Sequence, residues 1–308
     1  MATQQVSANA VRLRATRRRW GEDVVKVVLA LCALVSILTT VGIVVSLFLP
    51  AIEFFADVSP WDFLTGTNWA PLFEPSSFGV LPLVAGTIVV SLCAALVALP
   101  FGLGAAVYLS EYARATERKI LKPTLELLAG IPTVVYGYFA LTAVAPLLQD
   151  LGVQEGVFSA LAAALVMGVM LIPTVASLSE DAMSAVPRDL RDGAYALGSN
   201  RMQVALRVVV PAAISGIIAS FVLAISRAVG ETMIVLIAAG GQPNWSFNPT
   251  EAVQTMTAFI AATGQGDVPT GSLEYKTIFA VGATLFVMTL VMNLFSIRLV
   301  RKFREVYE

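Results

Sequence analysis

The chain has 308 residues, of which 57% are hydrophobic and 13% charged, and its mean hydropathy is +0.80. Soluble domains carry about 25% charged residues, so the composition indicates an integral membrane protein and excludes an ordinary soluble one. The formal net charge of −1 gives no sign of nucleic-acid binding, and the absence of histidine excludes imidazole metal sites and histidine proton relays.

Six apolar segments are long enough to cross a bilayer, for which about 20 residues suffice. They are 24–49, 79–109, 121–148, 157–178, 204–240 and 277–299. The first follows a basic segment, 1–23, but is too long for the core of a signal peptide, so we interpret it as a retained transmembrane helix. Prolines and glycines in the middle spans predict a packed bundle of bent helices. Cys32 and Cys93 lie inside apolar spans and are expected to act as small apolar residues, not as a disulfide.

Positive charges alternate between the connecting segments in a way that predicts the topology. Lys and Arg cluster in 1–23, 111–122, 188–207 and 298–304. Loops 50–77 and 149–156 have neither residue, and loop 241–276 has Lys276 alone. Because cytoplasmic loops are enriched in Lys and Arg, both termini and the second and fourth loops are predicted to lie in the cytoplasm.

Two features of the predicted outer loops indicate local structure. Aromatic residues of the first loop suit an aromatic belt at the outer membrane interface: Phe54, Phe55, Trp61, Phe63, Trp69 and Phe73. In the fifth loop, Asn248, Pro249 and Glu251 match the N-cap, N1 and N3 positions of a helix start, which predicts a short helix over 252–260. That helix either packs against the headgroups or helps to dock a partner.

A charged loop precedes the fifth span. Residues 188–197 can form a short helix that Gly198 ends in a left-handed conformation, and Ser199 or Asn200 can cap the next helix. The result is a helix–glycine turn–helix elbow with an apolar patch edged by charge, which suits a partner's groove. The patch consists of Tyr195, Ala196 and Leu197. The alternative is an ordinary loop lying against its own bundle.

The fifth span carries two charges, Arg227 and Glu231, inside the predicted membrane region. Each costs about 2.5–3.5 kcal/mol at mid-bilayer on insertion scales, and their four-residue spacing places both on one helix face, directed into the bundle. One interpretation is a structural ion pair. The other is a path for an oxyanion, which the Arg227 guanidinium binds through two parallel hydrogen bonds. Glu231 would then keep that binding weak enough for release and would pair with Arg227 in the empty pore.

From Asp192 the sequence runs Asp-Gly-Ala, three residues, Gly198, nine residues and then Val-Val-Val-Pro, ending at Pro211. This spacing resembles the EAA loop of binding-protein-dependent ABC importer permeases, which runs Glu-Ala-Ala, three residues, Gly, nine residues and Ile-x-Leu-Pro. The departures keep charge or apolar character. The resemblance implies that a coupling loop, 187–211, docks an ATPase. The implied docking residues are Arg191, Asp192, Gly193, Ala194, Leu197, Gly198 and Pro211.

Further stretches are similar to permeases of the phosphate-specific (Pst) importer, and to PstC more than to its sister PstA. These stretches are Tyr108–Ala113, Ile131–Gly137, Ala145–Leu148 and Arg227–Met233. The resemblance implies an all-α membrane protein with six transmembrane helices and the type I ABC importer permease fold. Its five-helix core would be 79–300, with span 24–49 as an addition and 301–308 as a cytoplasmic tail. It also implies a substrate path through Arg227, Glu231 and Thr232.

The implied function is that of a permease subunit of an ATP-driven phosphate importer in the bacterial plasma (inner) membrane, where it forms half of the pore. The implied partners are a PstA-like second permease, two copies of a PstB-like cytoplasmic ATPase, a PstS-like external phosphate-binding protein and membrane lipid, with no nucleic acid. The chain has no Gly-x-x-x-x-Gly-Lys-Ser/Thr stretch, so any ATP hydrolysis is expected to belong to a partner. We expect no enzyme activity, cofactor or metal site in this chain. The partner ATPase would bind ATP and Mg.

Three alternatives stand beside this interpretation: an ABC permease for another oxyanion, an ion-coupled secondary transporter and a membrane-embedded enzyme. Intramembrane charges also occur in secondary transporters, but six spans without an internal repeat are few for that class. The enzyme interpretation lacks a sequence cluster of His, Cys or paired carboxylates.

Overall fold

The computed structural model describes residues 20–302 of the chain. The predicted basic segment, 1–23, and the predicted tail, 301–308, therefore lie mostly outside the described residues. The chain divides after Leu47 into two compact units. Helix α1, Trp20–Asp57, begins in the first unit and is apolar enough to cross a membrane. The second unit contains the end of α1 and all the other elements.

The elements of the second unit follow one another in this order. A short helix and a two-stranded antiparallel hairpin come first: α2 (Pro60–Thr65), β1 (Trp69–Ala70) and β2 (Ser77–Phe78). The next helices are α3 (Leu81–Val107), α4 (Ala115–Ala129), α5 (Thr133–Phe139), α6 (Ala145–Asp150) and α7 (Ala160–Ser184). The last are α8 (Arg188–Ala196), α9 (Arg201–Val204), α10 (Val210–Ala212), α11 (Ile214–Val229), α12 (Met233–Ala238), α13 (Met256–Gly264) and α14 (Leu273–Lys302). The π-helical turns are Tyr108–Tyr112, Ala140–Val144 and Ala205–Val209.

Within the described residues, four helices are long and apolar enough to cross a membrane: α1, α3, α7 and α14. Two bent pairs raise the number of spans to six if each pair crosses once. The first pair joins α4 to the segment from α5 to α6 through a bend of 84°, and the second joins α9–α10 to α11 through a bend of 73°. The predicted all-α fold is confirmed, with six spans on that count.

The third predicted span, 121–148, is bent, as expected from the prolines of the middle spans, and its two arms are separate helices. The helix α4 ends at Ala129, and α5 begins at Thr133 in a different direction. Pro132 lies in the gap between them. A proline disfavours helical geometry in the residue before it and has no N–H to donate, so the chain changes direction there.

The fifth predicted span, 204–240, is also wrong as a single helix. It turns at Ala213, two residues after Pro211, and it breaks again between α11 and α12. Because Pro211 has no N–H, it cannot donate to the carbonyl four residues earlier, and the π-helical turn directly before α10 accommodates that loss. This span therefore consists of three helical segments, which are divided at Ala213 and between α11 and α12.

Helices α3 and α7 pack closely through small residues. A Cβ built on Gly102 of α3 would lie 2.6 Å from the Cβ of Val175, and one built on Gly168 of α7 would lie 2.7 Å from the Cβ of Val97. In a membrane, small residues let helix backbones approach and gain van der Waals contact. Interlocked packing of this kind resists sliding, so we treat α3 and α7 as one rigid pair.

Three of the six aromatic residues predicted to form a membrane belt lie in a packed core instead. Phe54 and Phe63 are fully buried and Trp69 is 3% exposed. The ring of Trp69 meets the ring of Phe259 edge-on, with centroids 4.9 Å apart. The belt prediction is therefore wrong for these three residues, whose rings make edge-to-face contacts inside the protein. The loop residues that stay largely exposed are Trp61 and Phe73.

The helix predicted over 252–260 begins later than expected. The helix α13 starts at Met256, where the side chain of Thr255 caps it. Val253 instead runs beside the chain after α12, and its N–H donates to the carbonyl of Ala239 at 2.9 Å. The side chain of Asn248 closes a local turn. The Asn248 side chain thus accepts a backbone N–H as a cap would, but no helix starts there, and the predicted helix position is wrong.

Candidate functional sites

The elbow has the predicted helix–glycine turn–helix form. Gly198 follows α8 with a φ of +84°, a left-handed conformation that glycine adopts without steric cost. The N–H of Ser199 donates to the carbonyl of Ala194 at 3.1 Å and closes the end of α8. Of the two cap candidates, Asn200 caps α9, because its side chain accepts the N–H of Gln203 at 2.9 Å.

The tip of the elbow stands clear of the bundle in the described structure. Leu197 is 90% exposed and Tyr195 is 42% exposed. A Cβ built on Gly198 would meet nothing within 4 Å. The alternative of a loop lying against its own bundle is therefore contradicted at the tip, although Ala194 on the other face of α8 packs against a buried cluster.

The implied docking residues differ in direction. Asp192 and Gly193 are exposed on α8, and Pro211 is exposed on α10, beyond α9 and a π-helical turn. Arg191 is turned toward the bundle: its side chain is 16% exposed and donates to the carboxylate of Glu111 at 3.0 Å. The structure thus brings most of the predicted docking residues to one elbow but directs Arg191 away from its surface.

The break between α11 and α12 is organised by Glu231. The residue is 9% exposed, and its carboxylate accepts the N–H of Met233 at 3.0 Å and that of Ile234 at 3.3 Å. Its backbone carbonyl accepts the hydroxyl of Thr257 at 2.7 Å. Glu231 therefore satisfies two backbone donors at the start of α12, while Thr257 holds the break from the side.

Arg227 lies in the last turn of α11 and is half-buried. Its Nη1 donates to the hydroxyl of Thr174 at 3.3 Å, and within the described residues Nε and Nη2 have no hydrogen-bond partner. In this part of the chain it also forms no ion pair with Glu231. The pairing is not formed here because α11 ends at Val229, and four-residue spacing brings side chains together only on a continuous helix. Thr232 lies half-buried in the break.

A buried carboxylate near the end of α7, Glu180, escaped the sequence analysis. It is fully buried and accepts hydrogen bonds from Arg118, from Lys122 at 2.8 Å and from Ser184 at 2.7 Å. Lys122 also pairs with Asp181 at 2.7 Å. The four-residue spacing of Arg118 and Lys122 on α4 was visible, but their acceptor lies 62 and 58 residues away along the chain. No local pattern connects partners at that separation.

Comparison with known proteins identifies the family. Residues 98–305 match the family described as "Binding-protein-dependent transport system inner membrane component". The chain belongs to this family.

The permease is similar to several named relatives. It is 36% identical to the probable ABC transporter permease protein YqgH of Bacillus subtilis, over 90% of this chain and 91% of the relative. It is 32% identical to the phosphate transport system permease protein PstC of Mesorhizobium japonicum, over 80% of each chain. It is 30% identical to the PstC of Haemophilus influenzae, over 93% of this chain and 95% of the relative.

Solved structures show the same fold. The permease covers 98% of a chain from a bacterial alginate ABC transporter, with a TM-score of 0.63 over 93% of its own length and 17% identity. It covers 95% of a chain from the inward-facing MetNI methionine ABC transporter, with a TM-score of 0.54 over 74% of its own length and 18% identity. The ABC importer permease fold predicted from the sequence is confirmed.

Family membership confirms several further expectations. The permease is an inner-membrane pore subunit and not an enzyme, and it works with ATPase and binding-protein partners. The orientation of its termini and the roles of its site residues stay predictions.

Proposed function

We propose that this permease is the PstC-like subunit of an ATP-driven phosphate importer, in which it forms half of the translocation pore. The observation that carries the proposal is the exposed elbow, where Leu197 is 90% exposed beside the left-handed Gly198. A defined turn that holds an apolar side chain in solvent is suited to bind a partner protein, which would bury that side chain. The 30–32% identity to proteins named phosphate transport system permeases supports the substrate.

The partner assigned to the elbow is a PstB-like ATPase, present in two copies and itself the site of ATP and Mg binding. Tyr195 and Leu197 enter its groove, and the exposed carboxylate of Asp192 lies at the edge of the contact. The second ATPase copy docks on a homologous PstA-like permease. A PstS-like binding protein delivers phosphate on the opposite side of the membrane.

The substrate path is assigned to the break between α11 and α12. Irregular backbone at membrane depth is tolerated where it is buried in protein or lines a water-filled cavity. Here it follows directly on Arg227, whose Nε and Nη2 are without a hydrogen-bond partner in the described structure. These two N–H groups form the planar fork that matches two oxygens of an oxyanion. Thr232 adds a hydroxyl in the break, and Glu231 shapes the path by capping α12.

The orientation proposed for the permease puts both termini and the elbow in the cytoplasm. Lys276 is the exception to the charge alternation, and its Nζ pairs with the carboxylate of Glu53 at 3.2 Å. Its charge is therefore matched by an acidic residue of the predicted outer side. Lys276 thus lies beside Glu53, and the proposed orientation rests on the other basic clusters.

The test is transport by the whole complex in proteoliposomes. The permease is co-purified with PstA-like and PstB-like partners and supplied with a PstS-like protein loaded with phosphate, sulfate or molybdate. We expect phosphate uptake that depends on ATP and needs no ion gradient. Uptake driven by an ion gradient without ATP would overturn the assignment in favour of a secondary transporter. ATP-dependent uptake of another oxyanion, with no uptake of phosphate, would refute phosphate as the substrate but leave the ATP-driven mechanism in place.

A matched pair of variants tests the docking surface in the same complex. Leu197→Glu places a charge in the proposed groove and is expected to abolish co-purification of the ATPase. Leu72→Glu makes the same change at a position that is also exposed, 58%, but lies between β1 and β2. It is expected to retain the ATPase. Equal retention of the ATPase by both variants would show that the elbow tip is not the docking surface.

A further inference from the structure

The docking helix α8 packs on the bundle through Ala194 and is hydrogen-bonded to it through the side chain of Arg191. The helix has nine residues, and none of them is buried. Isolated helices shorter than about 12–15 residues are marginal in water, so α8 needs contacts outside itself to keep its place. Within the described residues, Arg191 is the α8 side chain that donates hydrogen bonds to groups beyond the elbow.

Arg191 joins two different membrane helices. Its Nη1 donates to the carbonyl of Val186 at 2.7 Å and its Nη2 to that of Met183 at 2.8 Å. Met183 lies in the last turn of α7, where a cation is favourable because the final carbonyls lack helical partners. The Nε and Nη2 of Arg191 also donate to Oε1 of Glu111, at 3.3 and 3.0 Å.

Glu111 provides a rigid acceptor. Its side chain is 6% exposed and lies in the π-helical turn that continues α3. The hydroxyl of Ser110 donates to the same oxygen at 2.9 Å. A carboxylate this buried is held in place by its donors, because leaving it without the guanidinium would strand a charge in the protein.

The two ends that Arg191 joins belong to the rigid pair of α3 and α7. On its other side, α8 leads through Gly198 to α9 and the fifth span. Gly198 has open space around its Cβ position, so the turn is not packed against the bundle. Helix α8 is therefore connected to the α3–α7 pair by hydrogen bonds and to the fifth span by the turn.

We infer that Glu111 and Arg191 are positioning residues that fasten the docking helix to the α3–α7 pair and so couple movement of the docked ATPase to the pore. This inference rests on the proposed docking role of the elbow. Neither residue touches the ATPase or the substrate in this assignment. Their contribution is to prevent α8 from rotating on the bundle while its exposed tip, Tyr195 and Leu197, is moved by the partner.

The test uses the complete transporter in proteoliposomes and three single variants. Arg191→Lys keeps the charge but cannot reach the four hydrogen bonds, and Glu111→Gln keeps the shape but loses the charge. Arg188→Lys is the control, because Arg188 is exposed at the start of the same helix. The quantities measured are retention of the ATPase, the rate of ATP hydrolysis and the phosphate moved per ATP.

Arg191→Lys and Glu111→Gln are expected to retain the ATPase, because the tip is unchanged, and to lower the phosphate moved per ATP roughly tenfold, within the range of typical couplings between sites. In the double variant, the phosphate moved per ATP is expected to be no lower than in the more impaired single variant, because both changes break the same connection. Arg188→Lys is expected to keep the normal ratio.

Two results would overturn the inference, and a third would instead refute the proposed function. A normal ratio of phosphate to ATP in both Arg191→Lys and Glu111→Gln would show that the connection transmits nothing. Loss of the ATPase from Arg191→Lys alone would make Arg191 a partner contact. Failure of the unmodified permease to bind the ATPase would instead refute the docking role of the elbow itself.

Discussion

The carboxylate of Glu231 accepts the backbone N–H of Met233 at 3.0 Å, so this side chain closes the N-terminus of α12. The N–H groups of Met233 and Ile234 both donate to Oε1, and within the described residues the Glu231 carboxylate forms no ion pair with Arg227. The fifth span thus contains a capped helix start and, before it, an arginine with two N–H groups unpartnered in the described structure. This arrangement changes what substitutions at the two positions are expected to do.

Glu231→Gln is expected to be milder than Glu231→Ala. The amide oxygen of glutamine still accepts the N–H groups of Met233 and Ile234, whereas alanine leaves both without a side-chain acceptor. Loss of a capping acceptor costs about 1 kcal/mol. Thermal inactivation of the detergent-solubilised permease, followed by size-exclusion chromatography, measures the difference. Equal midpoints for the two variants would contradict the capping role.

Arg227→Gln is expected to abolish phosphate transport, and adding Glu231→Gln is not expected to restore it. A structural ion pair would predict recovery in the double variant, since neither charge would then be left alone. Arg227→Lys keeps the charge without the fork and is expected to transport slowly. Uptake of radiolabelled phosphate measures all three. Recovery in the double variant would remove Arg227 from the substrate path.

Gly198→Val is expected to uncouple ATP hydrolysis from transport while the permease still inserts. A left-handed conformation costs a side-chain-bearing residue about 1–2 kcal/mol, and valine would also widen the tip. Gly152→Val is the matched control: Gly152 also has a left-handed φ, +68°, and nothing within 4 Å of its Cβ, but it lies outside the elbow, so coupling should be retained. Assembly is checked by co-purification of the ATPase. Normal transport by Gly198→Val would exclude the turn from the contact.

Local sequence signals predicted the elbow because every part of it is short-range. The stop at Gly198 and the cap at Asn200 depend on residues within about four positions, and the structure has both. The same reasoning failed where partners are distant. No periodicity links Glu111 to Arg191, which are 80 residues apart, and none shows that Phe54 and Trp69 would find a common aromatic core.

The fifth span shows a different limit of sequence analysis. Its apolar composition is continuous enough to predict one helix, yet Pro211 and Gly230 mark the places where it turns and breaks. Proline and glycine inside membrane helices are tolerated when neighbours satisfy the freed backbone groups, so their presence alone does not decide between a kink and a break. Here the neighbour that decides is Thr257, 26 residues beyond Glu231.

Single cysteines are expected to report the proposed orientation in intact cells. After replacement of Cys32 and Cys93, positions Ser76, Glu155 and Ser246 should react with an impermeant maleimide, and Thr116 should not. Glu155 is exposed, whereas its neighbour Gln154 is only 4% exposed and a poor site for labelling. Labelling of Thr116 before the other three would reverse the topology.

Glu180→Ala is expected to destabilise the permease more than removal of the carboxylate of its neighbour Asp181. The Glu180 carboxylate is fully buried and accepts hydrogen bonds from Arg118, Lys122 and Ser184, so its removal leaves two cations of α4 without their main acceptor. We expect a loss of about 2 kcal/mol, below the usual 3–5 kcal/mol for breaking a buried pair. The reason is that the Arg118 and Lys122 side chains are 40% and 26% exposed, so water replaces part of the lost interaction.

Asp181→Asn is the control for this prediction, because it removes a carboxylate from the same lysine. The Asp181 side chain is 57% exposed, and exposed ion pairs contribute about 0.2–1 kcal/mol, so its thermal midpoint should stay close to that of the unmodified permease. Glu180→Gln should fall between the two, since it keeps an acceptor and loses the charge. Equal midpoints for Glu180→Ala and Asp181→Asn would mean that α4 is held by its apolar contacts. The ordering expected instead follows from burial, since the same lysine contacts both carboxylates and only one of them is removed from water.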